Sequence, residues 1–108
     1  MLSTKQNNIL ENKWCVIIPT FNNSKTLKKV IDGVLDLTQK IIVVDDGSTD
    51  KTNDILKQFA HKIDVITHNK NLGKGKALRS GFERAIEKGS DYAITIDSDG
   101  QHYASDIP

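Results

Sequence analysis

Asp97 and Asp99 stand two residues apart behind an apolar, β-branched run, Tyr92-Ala93-Ile94-Thr95-Ile96, and Gly100 follows them. Such a run favours a strand and the glycine breaks it, so both carboxylates are expected where a sheet opens to solvent. Residues two apart on extended backbone point the same way, which lets Asp97 and Asp99 reach one hard cation while Ser98 points elsewhere. Mg²⁺ or Mn²⁺ suits that pair, because such an ion fills its remaining positions with water and substrate phosphates. Gln101 can add an amide oxygen without adding charge. An acidic turn that merely ends a strand has the same composition, and these residues alone leave both readings open. An EF-hand loop is excluded: it needs glycine sixth and glutamate twelfth, whereas here Gly100 would be fourth and Pro108 twelfth.

A second polar cluster, Asp45-Asp46-Gly47-Ser48, follows the run Ile41 to Val44. A tight turn with a helix cap accounts for it. It also fits base recognition, since a carboxylate at a strand end accepts the ring N–H of uracil or guanine, and adenine and cytosine offer only an acceptor there. Phe21 offers a ring for the base to stack on, though an aromatic after a strand is more often core. Gly73-Lys74-Gly75-Lys76 ahead of a helical pattern resembles a phosphate cradle, because glycines allow close backbone approach and a helix N-terminus favours anions. The formal motifs are not met. Leu78 stands where a dinucleotide fingerprint has its third glycine, and the spacing of a P-loop is missing, so a flexible loop is an equal reading. His61, His68 and His102 have no metal-ligand spacing and are expected at surface or turn positions. Nothing in the sequence places a base beside a particular serine, so a Ser-His-Asp arrangement cannot be argued from it.

The elements that must position these groups are legible from periodicity. Trp14 to Ile18 reads as a strand buried on both faces and stopped by Pro19. Phe21-Asn22-Asn23-Ser24 supplies helix-cap chemistry ahead of Leu27, Val30, Ile31, Val34 and Leu35 at helical spacing. The strand Ile41 to Val44 leads to Ser48, Thr49 and Asp50, which can cap a helix carrying Ile55, Leu56 and Phe59. A third strand spans about Ile63 to Thr67. Ala77, Leu78, Gly81, Phe82, Ala85 and Ile86 form a helical stripe, with Gly89 placed as its stop. Strands alternating with helices imply right-handed βαβ crossovers, a parallel sheet covered on both faces, and ligand binding beyond the carboxyl ends of the strands.

With 108 residues the chain is one domain, preceded by a polar lead-in over residues 1–12. Its 15 Lys and Arg nearly balance 14 Asp and Glu, so no strong field recruits nucleic acid or an anionic membrane. The longest apolar run falls far short of the roughly 20 residues of a membrane span, and residues 1–8 carry no signal-peptide core. Cys15, the single cysteine, is expected as inert core, in keeping with a reducing cytoplasm.

Taken together, Val16-Ile17-Ile18-Pro19-Thr20-Phe21-Asn22, Ile42-Val43-Val44-Asp45-Asp46-Gly47-Ser48-Thr49-Asp50, Asn71-Leu72-Gly73-Lys74-Gly75-Lys76-Ala77 and Asp97-Ser98-Asp99-Gly100-Gln101-His102 closely resemble family 2 glycosyltransferases. Within that family the chain looks most like the dolichyl-phosphate mannosyltransferase and polyprenyl-phosphate sugar transferase branch. The resemblance covers about residues 14–108. It implies an α/β, three-layer Rossmann-like GT-A nucleotide-binding half over residues 13–108, with a mostly parallel sheet in the order 3-2-1-4.

Carried over by position, Pro19, Phe21, Asn23, Val44 and Asp46 line the nucleoside pocket, while Asp97, Ser98, Asp99 and Gln101 hold the metal and diphosphate. Phe21 stands where the family usually has Tyr, and Asn23 where Glu is common. The implied reaction is in-line attack by an acceptor oxygen on the anomeric carbon of a UDP- or GDP-sugar, with inversion. The implied cofactor is Mg²⁺ or Mn²⁺, and the implied acceptor a polyprenyl phosphate or a glycan. The resemblance also implies a cytoplasmic protein, at the inner face of a membrane when intact. The acceptor half and any general base are expected outside these residues, so the piece by itself is expected to bind nucleotide without transferring sugar. Two other classes compete: a plain nucleotide-binding domain, and a receiver-type module holding Mg²⁺ beside a phosphorylated Asp.

Overall fold

The computed structural model describes residues 13–99; the lead-in over residues 1–12 and the positions from Gly100 onward, Gln101 and His102 among them, lie outside the described residues. Strands and helices alternate as β1 (Trp14–Thr20), α1 (Leu27–Leu35), β2 (Ile41–Asp45), α2 (Thr52–Gln58), β3 (Asp64–Thr67), α3 (Lys74–Glu87) and β4 (Tyr92–Thr95). The four strands form one parallel sheet in the order β3-β2-β1-β4. Ile17 in β1 faces Ile42 of β2 on one side and Thr95 of β4 on the other. That order is the expected one. It excludes a receiver module, whose doubly wound sheet runs 2-1-3-4-5.

Alternation along β1 and β2 sorts their side chains onto two faces. Val16, Ile18, Ile41 and Val43 pack with Leu27, Val30, Ile31 and Val34 of α1 and with Leu56 and Phe59 at α2. Cys15, Ile17, Ile42 and Val44 pack with Ala77 and Ala85 of α3 on the opposite face. Each large aliphatic group removed from water in this way contributes roughly 1.5–3 kcal/mol. The double coverage is why these strands read as continuous apolar runs rather than alternating ones.

Three sequence expectations need correction. Pro19 does not stop β1, which runs on to Thr20 and pairs Pro19 with Val44. Residues of odd number in β1 turn their polar backbone groups toward β4, as the bond from Ile96 N–H to the Ile17 carbonyl shows. The ladder with β4 ends at Ile17, so the N–H that proline lacks has no partner to lose. The Asn22 to Ser24 segment does not cap α1: its N-cap is Thr26, without a side-chain cap bond, and the loop side chains bind other loops instead. In α3 only Ala77, Gly81 and Ala85 are buried, while Phe82 and Ile86 are exposed. A Cβ on Gly81 would stand 2.5 Å from Ile17 Cγ2, so only the small-residue row permits this helix to approach the sheet so closely.

The end of α3 follows the expectation. Gly89 has φ +83, its N–H donates to the Ile86 carbonyl and that of Ser90 to the Ala85 carbonyl, the paired bonds of a Schellman motif.

Candidate functional site

The carboxyl ends of the strands surround a cleft of about 320 Å³, within the size range of small-molecule sites. Four segments build it: Pro19 to Asn23 across the end of β1, Asp46 after β2, Asn71 to Ala77 across the start of α3, and Asp97 to Asp99 after β4. A second depression, of about 520 Å³, lies at the other end of the sheet beside Cys15 and Lys40. The first is lined by Pro19, Phe21, Asn23, Asp46, Asp97, Ser98 and Asp99 of the sequence-predicted groups and stands where ligands bind in parallel sheets.

Side-chain bonds lace the loops that make the cleft. Asn22, held at φ +53, accepts the N–H groups of Thr49 and Asp50 on its Oδ1 at 2.8 and 3.3 Å, and its own N–H donates to Ser48 Oγ. Asp50 accepts from Ser24 N–H at 3.2 Å and from the N–H and hydroxyl of Thr52 at 2.9 and 2.5 Å. Those bonds, the Thr52 hydroxyl first, hold the Asp50 carboxyl down at about 2. Asp50 thereby serves the start of α2 from one residue before its N-cap, Lys51. Gly47, at φ +77, lies under the β3–α3 loop, where a Cβ would fall 2.4 Å from the Lys70 carbonyl carbon. No other residue fits there.

Asp97 and Asp99 both face the cleft, and Ser98 between them is buried. The backbone is already turning at Ser98 and Asp99, so a turn, not the extended strand expected, separates the two carboxylates. The Ser98 hydroxyl donates to the Pro19 carbonyl at 3.1 Å and accepts from Asn23 Nδ2 at 2.7 Å, and the Thr26 hydroxyl bonds the Ser98 carbonyl. Asn23 and Ser98 therefore join the β1 and β4 ends of the site. Phe21 is 42% exposed at the cleft, open to a stacking partner. Val44 corrects an expectation: it is 0% exposed and its side chain packs toward α3, so it belongs to the core and does not line the cleft.

Asp46 is buried, yet it borders the cleft. Oδ1 accepts from Leu72 N–H at 2.9 Å and contacts His68 Nδ1 at 2.8 Å, and Oδ2 accepts from Gly73 N–H at 2.9 Å. Burial by itself raises this carboxyl, and the hydrogen bonds from His68, Leu72 and Gly73 outweigh it, holding the group below the usual carboxylate range. Thus Asp46 both borders the site and ties the β3–α3 loop to β2.

Two contributors were missed from sequence. Lys74, placed only within a glycine-rich cradle, extends its Nζ to 2.7 Å from Asp97 Oδ1. A lysine opening a helix after glycine was the available signal. His68, expected at a surface or turn position, follows β3 directly and is largely enclosed between Asp46 and Ser80. No sequence signal places it there, because the three come from different elements.

Among the described residues no cluster of three or more acidic, histidine or cysteine ligands exists. Two carboxylates at an open cleft fit a hard divalent cation that shares its shell with a diphosphate, and do not fit a closed protein cage. Gln101 lies outside the described residues. Nor is any described helix long and apolar enough to cross a membrane.

Comparison with known proteins agrees with this fold. The family model for glycosyl transferase family 2 matches residues 15–108. A UDP-N-acetylglucosamine–dolichyl-phosphate N-acetylglucosaminyltransferase of Methanococcus voltae is 36% identical over 85% of this chain and 43% of its own length. An undecaprenyl-phosphate 4-deoxy-4-formamido-L-arabinose transferase of Pectobacterium atrosepticum is 35% identical over 86% of this chain and 31% of its own. Among solved structures, Staphylococcus aureus TarS in complex with UDP superposes with a TM-score of 0.70 at 27% identity, covering 81% of this chain and 27% of that one. Glucosyl-3-phosphoglycerate synthase of Mycobacterium tuberculosis, with Mn²⁺, UDP-glucose and phosphoglyceric acid, gives 0.61 at 29% identity, covering 80% and 33%. The chain thus spans less than half the length of these relatives.

Proposed function

The chain belongs to glycosyl transferase family 2, with the GT-A fold of its structural neighbours, and from that membership we propose that residues 13–108 form the nucleotide-sugar-binding part of an inverting, metal-dependent glycosyltransferase. The observation that carries the reading is the meeting of Phe21, Asp46, Lys74, Asp97 and Asp99 on one cleft from four separate strand ends. Nucleotide binding in TarS and in the synthase supports a UDP-sugar donor, with a GDP-sugar as the alternative. The names of the relatives favour a polyprenyl phosphate as acceptor over a glycan.

Each residue has a role that its chemistry supports. Phe21 stacks on the base. Asp46 takes the ring N–H of uracil or guanine. Asp97 and Asp99 hold a divalent cation, Mg²⁺ or Mn²⁺, which when bound neutralises charge on the departing nucleoside diphosphate. Lys74 adds a cation beside the same phosphates, and the first turn of α3 brings N–H groups without intrahelical acceptors to the cleft. Asn23 and Ser98 keep the base and phosphate ends of the site in register. An ionised phosphate acceptor needs little base catalysis, whereas a sugar hydroxyl needs a base. At its site the protein is expected on the cytoplasmic face of a membrane.

The test is calorimetric titration of UDP, GDP and CDP with and without Mn²⁺, beside a transfer assay with polyprenyl phosphate. We expect UDP or GDP to bind only weakly without metal, with Kd near 0.1 to 1 mM when Mn²⁺ is present, and no sugar transfer by the 108 residues. Asp97→Asn should lower the metal-coupled affinity and leave the fold intact. Equal affinity with and without Mn²⁺ would remove the metal role, and turnover by these residues would place the acceptor site within them.

A further inference from the structure

Asp46, His68 and Ser80 form a continuous hydrogen-bonded line running from the cleft to the middle of α3. Asp46 Oδ1 lies 2.8 Å from His68 Nδ1, and His68 Nε2 lies 2.8 Å from Ser80 Oγ. An ionised carboxylate only accepts, so Nδ1 carries a proton and donates to Asp46; Nε2 and the Ser80 hydroxyl, which can each donate or accept, complete the line. The connectivity is that of a nucleophilic triad. Its placement is not, because neither His68 nor Ser80 lines the cleft and only Asp46 reaches it. The serine therefore has no substrate to attack, and the line acts inward, upon the carboxylate.

A carboxylate offers about four acceptor positions. In Asp46 the described residues occupy three: two on Oδ1, by His68 and Leu72, and one on Oδ2, by Gly73. The capacity that remains is on Oδ2. With both oxygens bonded, the carboxyl plane is fixed, so a single acceptor position is presented in a single orientation. Leu72 and Gly73 bind the carboxylate through the backbone of the β3–α3 loop; His68, the residue that follows β3, is the one side-chain donor among the three, and its other ring nitrogen is held by Ser80 of α3.

We propose that His68, steadied by Ser80, is a positioning residue for the donor site: it orients Asp46 so that one acceptor position meets the ring N–H of a nucleobase, and so sets the choice between UDP or GDP and CDP from outside the cleft. The inference rests on the donor-nucleotide reading above. It assigns specificity to a histidine and a serine that the nucleotide does not touch.

The substitutions separate orientation from mere packing. His68→Asn places an amide N–H where Nδ1 stands and restores the bond to Asp46, whereas His68→Gln reaches toward Ser80 and restores only that bond. Binding of UDP and CDP with Mn²⁺ is measured by calorimetry for the wild type, His68→Ala, His68→Asn, His68→Gln and Ser80→Ala, with thermal melts run in parallel. The wild type should prefer UDP by about tenfold or more. His68→Ala and His68→Gln should cut that ratio below about threefold, His68→Asn should retain most of it, and Ser80→Ala should lower it about two- to threefold at a nearly unchanged melting temperature. A folded His68→Ala protein with the wild-type ratio overturns the proposal, as does His68→Asn behaving like His68→Gln. Should His68→Ala not fold, the Ser80→Ala ratio decides, and an unchanged value there overturns the relay. A wild type that binds no nucleotide removes the donor reading itself, and this inference with it.

Discussion

Lys74 Nζ stands 2.7 Å from Asp97 Oδ1, an ion pair that ties the first turn of α3 to the segment after β4 across the mouth of the cleft. The lysine thus occupies one face of a carboxylate assigned to a divalent cation. Both partners are partly exposed, so their attraction amounts to about 0–1 kcal/mol and is readily exchanged for a metal.

Lys74→Met should therefore act in opposite directions on two measurements. Mn²⁺ alone should bind up to about fivefold more tightly, since the Lys74 ammonium no longer competes for Asp97. Mn²⁺ with UDP should bind less tightly, since a cation beside the diphosphate is lost. Titration followed by electron paramagnetic resonance reads both, and a shift of the same sign in each would refute the exchange.

Phe21 is open at the cleft and is assigned to stack on the base. Stacking of a base on an aromatic contributes about 1–3 kcal/mol by alanine substitution, so Phe21→Ala should weaken UDP at least about fivefold. Phe21→Tyr should bind as well as the wild type. Unchanged affinity in the alanine variant would show that the base lies elsewhere.

Asp50 is held at about 2, against about 3.9 in an unfolded chain. A carboxyl with a depressed folded pKa adds stability that is fully present above the unfolded value and is lost as pH falls toward the folded one. Stability should thus decline between about pH 4 and pH 2, and Asp46, also depressed, adds to the same limb. Urea midpoints measured across this range should show a shallower decline for Asp50→Asn. Parallel curves for the two proteins would contradict the assignment.

Gly81 meets Ile17 where a Cβ would come within 2.5 Å of Cγ2, an atom held near the backbone of β1. In an exposed helix alanine would stabilise by about 1 kcal/mol. Here the clash should dominate, and Gly81→Ala should cost about 1–3 kcal/mol. Chemical denaturation checks the sign; a stabilised variant would mean that α3 can shift outward without loss.

The sequence by itself determined the layers, because burial on both faces of a parallel sheet requires continuous apolar strands, and helix periodicity is local. Asp97, Asp99 and Phe21 were also legible, since each follows an apolar run whose end must open to solvent. The N-cap of α1 was misread from sequence: Asn22 and Asn23 have cap chemistry, but their side chains bind Thr49 and Ser98, partners that only folding brings near. Val44 likewise looks like its neighbours in the chain, and the side of the sheet toward which it points, against Gly81, decides that it is core. The β3–α3 loop needed the tertiary structure most. Lys74 reaches Asp97 across 23 positions and His68 reaches Asp46 across 22, distances over which no local pattern operates. Hydrogen bonds and ion pairs act through space over about 3 Å, so a residue's chemistry sets what it can bind, while the chain crossings set what it does bind.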